Sequence, residues 1–234
     1  MQKFQIAIDG PSGSGKSTLA KSLSKLLGIL YLDTGAMYRA CGLKALLAGV
    51  SPKDETLVKP LLEQTDIRIR FENGSQRIYL DGVDVTADIR KPDVSVAASD
   101  ISSLPSVRQK MVAMQREIAS SQSVVLDGRD IGSYVLPDAE YKFFLTADPK
   151  ERAKRRLEEL SASGTTTTYD EVLAGILYRD HQDSTRAFAP LRKVEGAVEI
   201  DTTHNTPEQT LDAILRALGP DIGNECGKSG KSCV

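Results

Sequence analysis

Gln5-Ile6-Ala7-Ile8-Asp9-Gly10-Pro11-Ser12-Gly13-Ser14-Gly15-Lys16-Ser17-Thr18 is the stretch on which the reading of this chain turns. Gln5–Asp9 is a short apolar run of the length of a buried strand. After Lys16, Leu19, Leu23 and Leu26 recur at i, i+4 and i+7, and Gly28 supplies a helix stop. Between the two, Gly10 to Ser17 fit G-x-x-x-x-G-K-[ST]. A strand that runs into a glycine-rich turn and then opens a helix makes a nest of backbone N–H groups able to surround an oxyanion. The glycines let the main chain approach a phosphate and adopt conformations that a Cβ forbids. Gly10, Pro11, Ser12, Gly13, Ser14, Gly15, Lys16, Ser17 and Thr18 are therefore expected to cradle a nucleoside triphosphate. In that pattern the lysine reaches the β/γ-phosphates and the Ser17 hydroxyl ligates Mg²⁺.

Outward from this loop, strand-like runs alternate with helical periodicity, as in parallel βα units. Ile29–Leu32, Val124–Leu126, Tyr141–Leu145 and Ala197–Ile200 read as further strands. Met37, Leu43, Leu46 and Leu47 mark a helix over about 36–48. Val107, Met111, Met114 and Ile118 form one helical face, read as core. Asp148-Pro149-Lys150-Glu151, Thr168-Tyr169-Asp170-Glu171 and Thr206-Pro207-Glu208-Gln209 each place a cap and its reciprocal acidic or amide residue in register for a helix start. Residues 66–86 break the rhythm: Asp66–Phe71 alternates polar and apolar, and turn signals at Asn73-Gly74 and Asp81-Gly82 separate it from Gln76–Leu80 and Val83–Val85. This predicts a small antiparallel meander inserted into an α/β fold. The segment after Gly219 is rich in Gly, Asn, Lys and Ser and reads as a disordered tail, its two Gly-Lys-Ser triplets following no strand.

The 234 residues carry 26% charged and 40% apolar side chains with a net charge of −2. That balance offers no bulk attraction to nucleic acid, so no nucleic-acid polymer is expected as partner. No stretch is long and apolar enough to cross a membrane and no basic-then-apolar leader opens the chain, which points to a cytoplasmic protein, expected as a monomer. Three cysteines and two histidines imply no disulfide framework, and they leave a zinc site or a His-based triad without candidates.

Nucleotide loops serve switches, motors, transporters and small-molecule kinases. No Asn-Lys-x-Asp segment for guanine is present. Arginines, by contrast, stand where ligand crevices form in open α/β sheets: Arg39 after the second strand, Arg108 at a helix start, Arg129 after the third strand. Arg152, Arg155 and Arg156 cluster on one helix, and Arg179, Asp183 and Arg186 share a face if their helix reaches 186. Phosphoryl transfer is accelerated by positioning and by cationic clamps, and arginine's planar fork matches phosphate oxygens. Asp127, at the end of Val124–Leu126, can hold Mg²⁺-bound water beside the loop. Asp130 follows it into the same crevice.

Gly10–Thr18, Asp33-Thr34-Gly35-Ala36-Met37-Tyr38-Arg39, Asp127-Gly128-Arg129-Asp130-Ile131-Gly132 and Arg186-Ala187-Phe188-Ala189-Pro190-Leu191, in that order, together resemble bacterial cytidylate kinase from about residue 4 to 218. The resemblance implies a P-loop kinase three-layer fold with a central parallel sheet, an inserted monophosphate-binding subdomain and a short helical lid. It implies ATP as phosphoryl donor with Mg²⁺, and CMP and dCMP as acceptors. Thr34, Tyr38 and Arg39 match its monophosphate-side segment; Ser99, Arg108, Arg129 and Asp130 match the surroundings of cytosine and its phosphate; Arg179, Asp183 and Arg186 match those of ribose and phosphates. Lys16, Asp127, Arg129, Arg155 and Arg156 are the expected catalytic set. The expected division is a core of 1–33, 99–150 and 187–219, a monophosphate subdomain of 34–98, and a lid of 151–186. Another kinase of the same fold, acting on shikimate, gluconate or a different monophosphate, and a non-catalytic ATP sensor are the alternatives.

Overall fold

In the computed structural model, residues 3–72, 75–162 and 164–219 are described; the expected turn at Asn73-Gly74 and the tail from 220 lie outside them. Five strands, β1 (Gln5–Asp9), β2 (Leu30–Asp33), β6 (Val124–Gly128), β7 (Tyr141–Thr146) and β8 (Val198–Asp201), form one sheet in the order β2-β6-β1-β7-β8. The ladders of β1 with β6, β1 with β7 and β7 with β8 are parallel, with Ile6 opposite Val125 and Ile8 opposite Asp127. That register brings the ends of β1 and β6, Asp9 and Gly128, side by side. Both strands are followed by the motif-bearing segments, which is why the sequence pattern and the sheet agree.

The chain divides into two compact units. Of the described residues, the first comprises 3–31, 122–162, 164–184 and 191–219. Its core gathers Ile6, Ile8, Leu19, Leu23, Val125, Phe143, Leu145 and Ile214, each burial contributing about 1.5–3 kcal/mol. Helix α1 (Lys16–Leu27) buries Leu19, Ala20, Leu23 and Leu27. Leu26, expected on that face, is instead half exposed. The helix closes on Gly28 in the left-handed region. Helices α6 (Pro149–Ala162), α7 (Tyr169–Thr185) and α8 (Pro207–Leu218) complete this unit apart from the last residue of α7.

Of the three expected helix starts, Thr206 and Gln209 form a reciprocal capping box, and Thr168 and Glu171 exchange the same pair of bonds. Asp148 accepts from the amides of Lys150 and Glu151, but its own N–H donates to Thr203 Oγ1 rather than to the Glu151 side chain. Helix α7 ends at Thr185, so Arg186 lies beyond it and does not share its face with Arg179 and Asp183.

The second unit comprises, of the described residues, 32–72, 75–121 and 185–190. Its helices are α2 (Thr34–Leu47), α3 (Glu55–Glu63), α4 (Pro92–Ile101) and α5 (Pro105–Ser121). Residues 99–121, grouped above with the core segments, cluster here, because α5 buries Val107, Met111 and Val112 and packs against α2 and α3. Helix α3 was not foreseen; Asp54 caps it through the amides of Thr56 and Leu57, and Pro60 stands inside it. The meander is present as β3 (Ile67–Glu72), β4 (Ser75–Leu80) and β5 (Val83–Asp84), paired antiparallel with Ile69 opposite Ile78. Between β5 and α4 lies a 3₁₀ turn, Asp88–Arg90.

Candidate active site

The loop between β1 and α1 is shaped by contacts that only glycine permits. Gly10 has φ +150°, and a Cβ there would stand 2.2 Å from the Leu145 carbonyl oxygen. Gly13, at φ +77°, has Arg152 Cβ 3.2 Å from where its own Cβ would be. Lys16 folds back into the loop, its Nζ donating to the Pro11 carbonyl at 2.6 Å, an oxygen that also accepts from Ser14 Oγ at 3.0 Å. The lysine is 5% exposed. Burial, seconded by the charge of Arg129, pushes its ammonium down to about 7 against the pull of Asp127, Asp183 and Asp9.

Asp127, at the end of β6, faces the first turn of α1. Ser17 Oγ donates to its Oδ2 at 2.8 Å and the Tyr31 hydroxyl to its Oδ1 at 2.9 Å. Two residues on, Arg129 Nε donates to Asp183 Oδ2 at 2.6 Å. Asp183 is thus buried against Arg129 rather than paired on the surface along its own helix. Burial opposes the guanidinium's charge, and Asp183 and Asp127 more than restore it.

Within the second unit, Thr34 opens α2 and is buried. Arg108 of α5 is wholly buried, its Nη1 donating to the Ser102 carbonyl at 3.2 Å. The Arg108 guanidinium lies 5.8 Å from the Tyr38 ring and 5.7 Å from the Phe188 ring. This arrangement joins residues from two of the four motifs to α5, and an arginine held between aromatic faces is pre-oriented for a planar partner. Ser99 lies on α4, and Arg186 Nε donates to the Ala189 carbonyl at 2.7 Å.

A sequence model of the cytidylate kinase family matches residues 6–219. The chain belongs to that family. A cytidylate kinase of Caldicellulosiruptor saccharolyticus is 50% identical over 225 residues, 96% of this chain and all of its own. One from Caldanaerobacter subterraneus is 50% identical over 94% of this chain and 97% of its own. Among solved structures, a gluconokinase from Sinorhizobium meliloti aligns over 97% of this chain and 99% of its own, at 15% identity and a TM-score of 0.48, a likeness too loose to bear on activity.

In this member of the cytidylate kinase family the three arginines of α6 part company. Arg152, expected with Arg155 and Arg156 in the arginine cluster of a lid that closes over ATP, is 3% exposed. Its Nη1 and Nη2 grip both oxygens of Asp180, at 3.0 and 2.6 Å, while Nη1 also donates to the Ser12 carbonyl of the phosphate loop at 3.0 Å. Arg155 donates instead to the carbonyls of Thr202 and Thr203 at 2.5 and 3.0 Å, just past β8. Arg156 pairs with Glu159 on its own helix at 2.9 Å. Arg179 Nε donates to the Gly175 carbonyl one turn back.

Asp9 is the second residue that the sequence did not disclose. Its two carboxylate oxygens accept from the amides of Ile131 at 2.7 Å and Gly132 at 2.8 Å, anchoring the segment after Arg129 and Asp130 to the end of β1. That segment coils as a π-helical turn, Ile131–Val135. Burial pushes the Asp9 carboxyl up to about 6 despite those two amides. A strand-end aspartate before a phosphate loop reads as a cap or turn residue, and only the register of β1 with β6 reveals its partner.

Proposed function

We propose that this chain transfers the γ-phosphoryl group of ATP to CMP and dCMP, giving CDP and dCDP. The observation that carries the reading is the phosphate loop whose Ser17 hydroxyl meets the Asp127 carboxylate, in a chain that belongs to the cytidylate kinase family. The loop amides and Lys16 hold the triphosphate. Arg152 keeps the loop's shape through Ser12, and Arg129, steadied by Asp183, offers its remaining donors to the transferring group. Arg155 and Arg156 would act on phosphate only after leaving the partners described above. A phosphate monoester is already anionic near neutral pH, so no general base is required, and the chemistry rests on positioning and charge.

Ser17 and Asp127 offer hydroxyl and carboxylate oxygens, a donor set suited to Mg²⁺ directly or through water. When bound with ATP, that ion neutralises charge on the terminal phosphates. On the acceptor side we assign Thr34, Tyr38, Arg39, Ser99, Arg108, Asp130, Arg179, Asp183 and Arg186 to the pyrimidine nucleotide. Among the described residues no helix is long and apolar enough to cross a membrane, and we place the reaction in the cytoplasm, with the monomer as working unit. The test of the activity is ADP release on a panel of CMP, dCMP, UMP, AMP and shikimate; failure to respond to CMP or dCMP overturns it.

The state of Lys16 makes the donor side measurable. In the free protein the amine is mostly neutral at pH 8, because its pKa stands at about 7. A polyphosphate beside it favours the ammonium and raises that value, so binding takes up a proton and weakens as pH climbs above 7. Calorimetry of ATP binding at pH 8, in buffers of different ionisation enthalpy, is expected to show uptake approaching one proton. Binding without uptake would remove the lysine from the phosphates.

Asp183→Ala separates a ligand-side role from a structural one. Losing the charged partner of Arg129 is expected to raise the CMP KM about 10-fold or more and to cost about 1–3 kcal/mol in urea unfolding. A stability loss with an unchanged KM would make the pair purely structural.

A further inference from the structure

Asp33 stands where β2 gives way to α2, and its polar groups are held from three other directions. Its N–H donates to Gln76 Oε1 at 2.8 Å, and its carbonyl accepts from Gln76 Nε2 at 3.1 Å. Its Oδ1 accepts from the Ala36 amide at 2.9 Å, capping α2, and its Oδ2 from Arg90 Nη2 at 2.8 Å. A Cβ on Gly35 would stand 3.3 Å from both Arg39 Nη1 and Asp33 Oδ1, so the Arg39 guanidinium lies back over the first turn beside the same carboxylate. Burial works to raise the Asp33 carboxyl, but Arg39 and then Arg90 outweigh it and hold it below the usual carboxylate range.

Gln76 belongs to the meander. It sits on β4 opposite Phe71, 43 residues along the chain from Asp33. Its carboxamide satisfies both main-chain groups of one residue, as a neighbouring strand would, where the backbone leaves the extended region (φ −75°, ψ 95°) for the helix. Among the described residues, the meander's other face carries ion pairs such as Arg68–Asp66 and Arg77–Asp84 and Arg70 over Tyr79, while Asp81 in its second turn pairs with Lys44 of α2.

We propose that Gln76 is a positioning residue for the acceptor nucleotide: by clamping the Asp33 peptide it sets the direction in which α2 starts, and with it the places of Thr34, Tyr38 and Arg39. The insert's task is then mechanical, to fix a pivot rather than to hold a ligand of its own. This rests on the reading that the first turns of α2 meet the monophosphate. Small displacements of a binding group carry large penalties, with about 1 Å of misplacement worth up to ~100-fold.

The test is steady-state kinetics of Gln76→Leu, which loses both bonds, and of Gln76→Glu, which keeps the acceptor but sets a carboxylate against the Asp33 carbonyl. Both are expected to raise the CMP KM about 10-fold or more with the ATP KM within about twofold of wild type, while the lost bonds lower the melting temperature by only a few degrees. A CMP KM within about twofold of wild type in both variants overturns the proposal. So does a joint rise of the CMP and ATP KM values with a larger drop in melting temperature, which marks general loosening. Wild-type protein that ignores CMP would sink the activity itself, whereas a CMP-active wild type with indifferent Gln76 variants sinks only the clamp.

Discussion

Lys16→Ala is expected to lower kcat by about 10³-fold while the folded state survives. A single pre-organised donor aimed at developing charge is worth about 10²–10³ in rate. Lys16 brings a full charge to phosphates that carry several, which places it at the upper end. The same residue is a burden on the unliganded fold. It is 5% exposed, its ammonium is driven down to about 7, and its donor contacts are the Pro11 carbonyl and, at 3.4 Å, Ser14 Oγ. Because its folded pKa lies below the unfolded one, the unfolded chain binds more protons between pH 7 and 10.5, and stability rises with pH across that window. Replacing the amine therefore removes a desolvation penalty along with a hydrogen bond. Lys16→Met, which keeps the volume, is expected to melt no lower than wild type while matching the alanine variant in lost turnover. Near-wild-type kcat in either variant would refute the phosphate role; loss of kcat with a collapsed melting transition would mean that the lysine holds the loop together instead.

That double character explains how much of the site the sequence could disclose. The phosphate loop was legible because glycine, lysine and serine at fixed spacing meet a local geometric demand: Gly10 and Gly13 are required by backbone φ and by the nearness of Leu145 and Arg152. The order of strands and helices was legible for the same local reason, through periodicity and caps at Thr168 and Thr206. Long-range partners were not. Nothing in the spacing of α6 says that Arg152 turns inward to Asp180 and Ser12 while Arg155 and Arg156 engage Thr202, Thr203 and Glu159. Asp9 likewise looked like the end of a strand, and its bonds to the amides of Ile131 and Gly132 depend on a register set 122 residues away. Helix α3 was masked by Pro60 and by its short length, although Asp54 caps it in the ordinary way. The sequence names residue types suited to phosphate chemistry; tertiary contacts decide which arginines are committed to the scaffold.

The sharpest consequence concerns the base. Cytosine and uracil differ by an amino donor in place of a carbonyl acceptor, so a buried carboxylate that accepts from cytosine is left facing a carbonyl when uracil takes its place. Asp130 is 4% exposed. Its main-chain carbonyl accepts from the amides of Tyr134 and Val135, and the next two amides are held by Asp9. These bonds fix the backbone from which the Asp130 carboxylate projects, and its burial leaves a mismatch without water to relieve it. Sites that hydrogen-bond a substrate group reject analogues lacking it by about 10⁴–10⁵, and wild-type kcat/KM is expected to favour CMP over UMP by about 10⁴. Asp130→Asn is nearly isosteric, and its carboxamide can turn to donate to the uracil carbonyl. The variant is expected to lose activity on CMP, gain on UMP, and narrow the ratio by about 100-fold or more. Its main-chain bonds are untouched, so unfolding should stay cooperative. Comparable wild-type turnover of the two nucleotides, or a ratio unmoved in the variant, would take the carboxylate of Asp130 away from the base and leave the selectivity to the arginine held between Tyr38 and Phe188.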